Sequence, residues 1–265
     1  MKLLKNKNKE NLKFYNDNGW IIIKKFFEKK YIEKIKKELI SKTKTENNFF
    51  YFENIKKKKK LRRIEKVTEF SKSSKKLICS KKTIKLIKLL EKKNYVLFKD
   101  KLNFKFPGGK GYLPHIDGHF FWRDKNKKYQ NGWSKYSSNF INLVLPLEKS
   151  NIKNGCIYVA NKNDTKKFGS SFSSITKKLT INTPNIKTKD INKFNFFPVE
   201  LEIGDICLFN WKCAHYSENN YSNKSRMIFY ATFCKKNKKK DIRKMYYRDK
   251  LNSYNNKNNK SLLFT

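Results

Sequence analysis

The chain has 265 residues, 31.8 kDa, of which 38% are hydrophobic and 15% aromatic, which sets the expectation of one domain with a single sizeable core. Its formal charge is +42, yet only six of the 64 basic residues are Arg (Arg62, Arg63, Arg123, Arg226, Arg243 and Arg248); the rest are Lys, spread from end to end among Asn, Ile and Phe, the residues of A/T-rich codons. Charge distributed in this way covers solvated faces, and it argues against a nucleic-acid or membrane-surface binder, which would gather it on one face.

No apolar run reaches the about 18 residues of a membrane span, and Met1 to Asn6 lacks the apolar stretch of a signal peptide, so a cytosolic protein is expected. Five cysteines without a CxxC pattern fit free, mostly buried thiols better than a disulfide or zinc framework. Each of the few Arg residues marks a place where Lys did not suffice, because only the guanidinium fork grips a carboxylate or phosphate bidentately.

Gly19-Trp20-Ile21-Ile22-Ile23 predicts a short buried strand. Phe27, Tyr31, Ile32, Ile35 and Leu39 then recur at helical spacing and predict an amphipathic helix that serves packing. The Lys56 to Lys60 run is read as a solvated loop leading into Leu61-Arg62-Arg63. A second helix, over about 81–93, turns Ile84, Ile87 and Leu90 inward.

Short strands follow at 95–98, 102–106, 140–147, 155–160, 196–203, 205–211 and 227–233. This spacing predicts a mainly β fold, a sandwich or barrel with flanking helices. No repeat or Gly/Ser linker divides the chain, so residues 1–265 are read as one domain: 1–94 as support, 95–235 as the β core and 236–265 as a tail. The polar segment 161–195 is read as a long loop and a candidate lid. Four of the nine glycines lie within residues 108–118, where close turns beside a site are a natural use for them.

Three histidines occur in the whole chain, His115, His119 and His215. On a strand or at its end, His115-x-Asp117 places an imidazole and a carboxylate on a common side, and His215 would close a third position from another strand. Two imidazoles and one carboxylate on one face are the ligand set of non-haem Fe(II) oxygenases. Downstream of His215, Ser217 and then Arg226 at the start of a strand can hold the far carboxylate of an iron-chelated dicarboxylate.

At these residues the sequence resembles the phytanoyl-CoA dioxygenase family of Fe(II)/2-oxoglutarate-dependent oxygenases. The resemblance is carried by 17–23 and the following helix, His115-x-Asp117, Asn154-Gly155-Cys156-Ile157-Tyr158-Val159 and Gly204-Asp205-Ile206-Cys207-Leu208-Phe209. It ends with His215-x-Ser217-x-x-Asn220-x-Ser222 and Arg226. It implies a double-stranded β-helix (jelly-roll, cupin-like) core and Fe(II), 2-oxoglutarate and O2 as reactants, with ascorbate as an activator in vitro. It also implies His115, Asp117 and His215 as iron ligands and Arg226 and Ser217 as the cosubstrate clamp. Related halogenases have Gly or Ala in place of Asp117, so the carboxylate implies hydroxylation. Lys105 and Asn103 share one face of a strand and are read as contacts for the cosubstrate or substrate.

Within the family, residues 98–109, 132–136 and 246–250 are similar to the 2-aminoethylphosphonate dioxygenase type. The chain departs from it at His119-Phe120-Phe121-Trp122 and in a tail without that group's prolines. A small anionic or zwitterionic substrate would want charged groups near the iron. Arg62, Arg63 and Arg123 are the candidates, with His119 and Trp133 shaping the pocket. The rivals are the same chemistry on a biosynthetic or lipid-type substrate, and a basic jelly-roll protein that binds without turnover. The expected partner is a small molecule, with no specific nucleic acid, and the oligomeric state stays open.

Overall fold

The computed structural model describes residues 5–42, 50–118, 121–123, 129–167, 185–237 and 239–255. Segments rich in β-branched and aromatic residues form most of its strands, since such side chains pack well on a pleated, half-buried surface. The strands are β1 (Trp20–Ile23), β2 (Phe50–Ile55), β3 (Lys58–Glu65), β4 (Tyr95–Lys105), β5 (Tyr112–His115), β6 (Phe121–Arg123) and β7 (Tyr129–Asn131). They continue with β8 (Phe140–Pro146), β9 (Ile157–Ala160), β10 (Phe196–Val199), β11 (Ile206–Asn210), β12 (His215–Ser217) and β13 (Arg226–Lys235).

Seven of them form an antiparallel sheet in the order β1-β11-β8-β13-β4-β3-β2, four form a second in the order β10-β9-β12-β5, and β6 and β7 form a hairpin. Alternation sorts the side chains of the large sheet between two layers. Ile141, Leu143, Leu102, Phe104 and Phe229 point outward and pack with Ile32, Ile35 and Leu39 of α2 (Lys29–Lys42) and Ile87 and Leu90 of α5 (Lys81–Glu91). Val144, Cys207, Phe209 and Ile228 point inward against Ile157, Val159 and Val199 of the small sheet. Two facing antiparallel sheets with helices on the outer face of the larger make a jelly roll of the cupin-like kind.

The remaining helices are α1 (Lys5–Asn18), α3 (Val67–Phe70), α4 (Lys72–Ile78), α6 (Lys162–Lys166) and α7 (Ile242–Asn255). Helix α7 closes the outer face behind β4: Arg243 pairs with buried Asp100 at 2.7 Å, and the Tyr247 hydroxyl bonds the Asp100 carbonyl at 3.4 Å. Among the described residues no helix is long and apolar enough to cross a membrane.

Two sequence expectations change. The predicted strands 95–98 and 102–106 are one strand, β4, because Lys99, Asp100 and Lys101 do not interrupt it: Asp100 is matched on the outer face, and the lysines turn inward. The Lys56 to Lys60 run is exposed, as expected, but it is the tip and first strand residues of the β2–β3 hairpin. Lys56 (φ 48°) and Lys57 (φ 63°) make a left-handed turn there without the usual Gly or Asn. Of the candidate lid, 168–184 lie outside the described residues. The rest carries α6, a bridge from Asn185 to His115 and a 3-10 turn at Thr188–Lys193.

Candidate active site

The small sheet brings the two distant histidines together by strand register. His115 ends β5 and His215 begins β12, and the two are direct cross-strand partners with ring centres 4.3 Å apart. Asp117 follows in the turn after β5, which Gly118 makes with φ 77°. A Cβ there would lie 3.0 Å from the Trp133 side chain. Potential ligand atoms of the three residues lie within 4.8 Å of one another, with His215 Nε2 3.8 Å from Asp117 Oδ2. An ion bonding at about 2.1 Å joins donors roughly 3 to 4 Å apart, so a small inward shift of the set would hold a single metal.

The supporting bonds present the right atoms. His115 Nδ1 donates to the Leu113 carbonyl (2.7 Å) and His215 Nδ1 to the Cys213 carbonyl (3.1 Å), which leaves each Nε2 with its lone pair. Burial first, and the neighbouring imidazole second, lowers the His115 pKa to about 3; burial also lowers that of His215, so both rings are neutral ligands near pH 7. Burial alone would raise the Asp117 pKa. His215, Lys99, His115 and Lys101 outweigh it and bring the carboxyl down to about 2. Asn142 on β8 donates its amide to Asp117 Oδ2 at 2.9 Å and accepts from the Thr232 hydroxyl of β13 at 2.7 Å.

Beside this centre sits a second cluster. Arg226, at the start of β13, is 1% exposed and pairs in register with Lys105 of β4. Among the described residues its Nε and Nη1 have no partner, an arrangement that costs free energy until an anion arrives. Lys105 Nζ donates to Ser217 Oγ (2.9 Å) and to the carbonyls of Gly155 (3.1 Å) and Glu218 (2.5 Å). Burial, then Arg226 and Arg62, lowers the Lys105 pKa to about 6. The glycine-rich segment closes onto this cluster: a Cβ on Gly111 would lie 2.0 Å from the Ser217 carbonyl oxygen. The orphaned Arg226 donors fit the far carboxylate of 2-oxoglutarate.

An open cleft of about 480 Å³ joins the two clusters. Asn103 and Ser217 line it, as do His115, Asp117 and His215, whereas Arg226 and Lys105 lie beneath the exposed lining. The Phe209 ring packs 4.9 Å from that of His215.

Of the other expected substrate contacts, Arg62, Arg63 and Trp133 are absent from the described cleft lining. Arg62 bonds Glu53 Oε2 at 2.5 Å, the Tyr112 hydroxyl at 3.2 Å and the Gly111 carbonyl at 3.1 Å, tying the β2–β3 hairpin to the glycine-rich segment. Arg63 stacks 4.0 Å over Tyr51 and lies 3.4 Å from Glu65. Neither lines the cleft. Trp133 is buried behind the metal turn against Phe98 and Phe140. His119 lies outside the described residues, and Arg123 is placed only by its backbone in β6.

Nine lining residues were missed, among them Lys99, Lys101, Asn142 and Thr232. For the lysines the signal was present, a period of two through Lys99, Lys101, Asn103 and Lys105. For Asn142 it was a single polar residue inside an apolar strand.

The family model described as phytanoyl-CoA dioxygenase (PhyH) matches residues 15–228. The chain is 28% identical over 227 residues to the 2-aminoethylphosphonate dioxygenase of uncultured bacterium HF130_AEPn_1, covering 83% of this chain and 78% of that protein. It is 25% identical over 201 residues to dioxygenase lolE1 of Epichloe uncinata, covering 76% and 70%. Among solved structures it is similar in fold to EctD of S. alaskensis with 2-oxoglutarate and 5-hydroxyectoine, with a TM-score of 0.65 at 13% identity over 88% of this chain and 76% of that one.

Proposed function

Because the chain belongs to the phytanoyl-CoA dioxygenase family and is an iron- and 2-oxoglutarate-dependent oxygenase, we propose that it hydroxylates an aliphatic C–H of a small anionic or zwitterionic metabolite, with 2-aminoethylphosphonate as the first candidate. The observation that carries the reading is the convergence of His115, Asp117 and His215 beside a buried, unpartnered Arg226 fork. When bound, Fe(II) and 2-oxoglutarate supply the oxidising chemistry, with O2 consumed and succinate and CO2 released.

The protein supplies geometry and charge. His115 and His215 present Nε2 because their Nδ1–H groups are committed to carbonyls, and Asn142 aims the Asp117 carboxylate. Arg226, Lys105 and Ser217 hold the cosubstrate's far carboxylate, and Phe209 packs against the His215 ring. Asp117, a carboxylate where a halide would need room, favours hydroxylation. We treat residues 1–265 as one catalytic unit, since β1 joins the large sheet at one end and α7 packs on β4 at the other. The free thiols fit a cytosolic setting.

Anaerobic protein given Fe(II), 2-oxoglutarate and ascorbate should form succinate on exposure to O2. The yield should rise with 2-aminoethylphosphonate and vanish in His115→Ala. Slow succinate indifferent to the phosphonate would discard this substrate. No succinate and no bound iron would discard the enzyme.

A further inference from the structure

Along β4 the alternation of side chains turns Lys99 and Lys101 into the cleft beside the metal ligands. Lys99 Nζ lies 4.0 Å over the Trp133 ring and Lys101 Nζ 5.3 Å from the centre of the Tyr230 ring. Such rings orient an ammonium without neutralising it. Among the described residues neither ammonium has a hydrogen bond or an ion pair. Three other partly buried cations among the described residues are matched directly: Arg62 by Glu53, Arg243 by Asp100 and Lys250 by Glu65. Each of these cations has a carboxylate at bonding distance. At Lys99 and Lys101 no described carboxylate is that close, and Asp117 and Glu65 act on them only from further off.

Counting charge shows what is missing. Asp117 is the sole carboxylate of the described lining, and it belongs to the metal. When bound, the two charges of Fe(II) would be met by Asp117 and one carboxylate of 2-oxoglutarate, and Arg226 by the other. Lys105, whose pKa is lowered to about 6, is largely neutral near pH 7. Two positive charges then remain, both on one strand, at positions whose Cα atoms are about 7 Å apart, a spacing that a single tetrahedral oxyanion can bridge with two long side chains.

We propose that Lys99 and Lys101 together seat a doubly charged tetrahedral oxyanion of the substrate, a phosphonate or a phosphate monoester, beside the iron ligands. The proposal rests on the oxygenase reading and adds which end of the substrate is recognised and by which side chains. A zwitterion is gripped by its anion, since the described lining offers its ammonium no carboxylate outside the metal set.

The test is a calorimetric titration of the full chain, loaded anaerobically with Fe(II) and 2-oxoglutarate, using methylphosphonate as probe and acetate as the singly charged comparison. Wild type should bind methylphosphonate saturably and more tightly than acetate. Lys99→Met and Lys101→Met should each weaken it about tenfold or more, the scale of a hydrogen bond to a charged group, and the double variant should abolish it. Lys99→Arg, which keeps the charge, should retain binding. Should a Met variant fail to fold, Lys99→Gln and Lys101→Gln carry the same expectation. Absence of binding in wild type, equal affinity for acetate, or undiminished binding in the double variant overturns the proposal. Wild-type succinate formation without added anion, measured in parallel, reports on the oxygenase reading alone. Succinate without phosphonate binding sinks only the lysine seat, and no succinate with no bound iron sinks the reading beneath it.

Discussion

Replacing Asn142 by Leu keeps the bulk of a buried side chain and removes the donor behind Asp117. The amide lies between two partners, donating to Asp117 Oδ2 at 2.9 Å and accepting from Thr232 Oγ1 at 2.7 Å. With its oxygen turned toward the hydroxyl, only its NH2 faces the carboxylate, so Thr232 fixes which way the amide points. One hydrogen bond to an ionised group contributes about 1.5–3 kcal/mol, and loss of an outer-shell partner lowers metal affinity about 10–100-fold. The two figures agree, since about 1.4 kcal/mol is a factor of ten. Anaerobic competition with a chromophoric chelator measures the Fe(II) Kd. Asn142→Leu should weaken it by about one to two powers of ten. Thr232→Val should fall in between, because the freed amide can still face Asp117 part of the time. The double variant should bind no worse than Asn142→Leu alone, since Thr232 acts through Asn142. Unchanged affinity in Asn142→Leu, or losses that simply add, would refute this relay.

Arg226→Met should separate stability from cosubstrate binding. The guanidinium is buried with two unpartnered nitrogens, so its removal should leave the apo Tm unchanged or higher while 2-oxoglutarate affinity falls about tenfold or more. A lower Tm with unchanged affinity would show a structural role instead. The apo protein should also lose stability in mild acid. The unfolded His115 ring takes up a proton below about pH 6.5, whereas the folded ring is held near 3. Stability should therefore fall as pH drops through that window, by up to about 1.4 kcal/mol per pH unit. Urea melts of the metal-free protein from pH 7 to 4 check this, and the slope should shrink in His115→Gln.

Much of the scaffold was legible because burial leaves a pattern. The apolar runs of β1, β8, β11 and β13 and the helical spacing of α2 and α5 reflect two-sided or one-sided contact with a core. The ligand-bearing strands did not show in the apolar periodicity. Tyr112–His115 and His215–Ser217 are four and three residues long, and their composition serves the metal and not the sheet. Chemistry identified them where periodicity could not. Lys99 and Lys101 were passed over for the opposite reason: lysines usually mark solvent, and here they mark the wall of a cleft. Arg62 looked like a substrate fork because it is one of few arginines, yet its geometry is used on Glu53 and two backbone carbonyls. Scarcity of a residue type signals a demanding contact without saying whether that contact lies inside the molecule or with a ligand.

Strand β13 lies between β8 and β4 and contributes to both clusters, Arg226 at its start and Thr232 six residues on, with Tyr230 between them on the same face. Because side chains alternate, displacement of this strand by one residue would turn all three outward at once. Metal support and cosubstrate clamp therefore cannot fail separately through mispairing here. A molecule that has not registered this strand loses the cosubstrate clamp and the prop behind Asp117 together, while His115 and His215 keep their own strands. Retention of 2-oxoglutarate thus becomes a report of correct registry in β13.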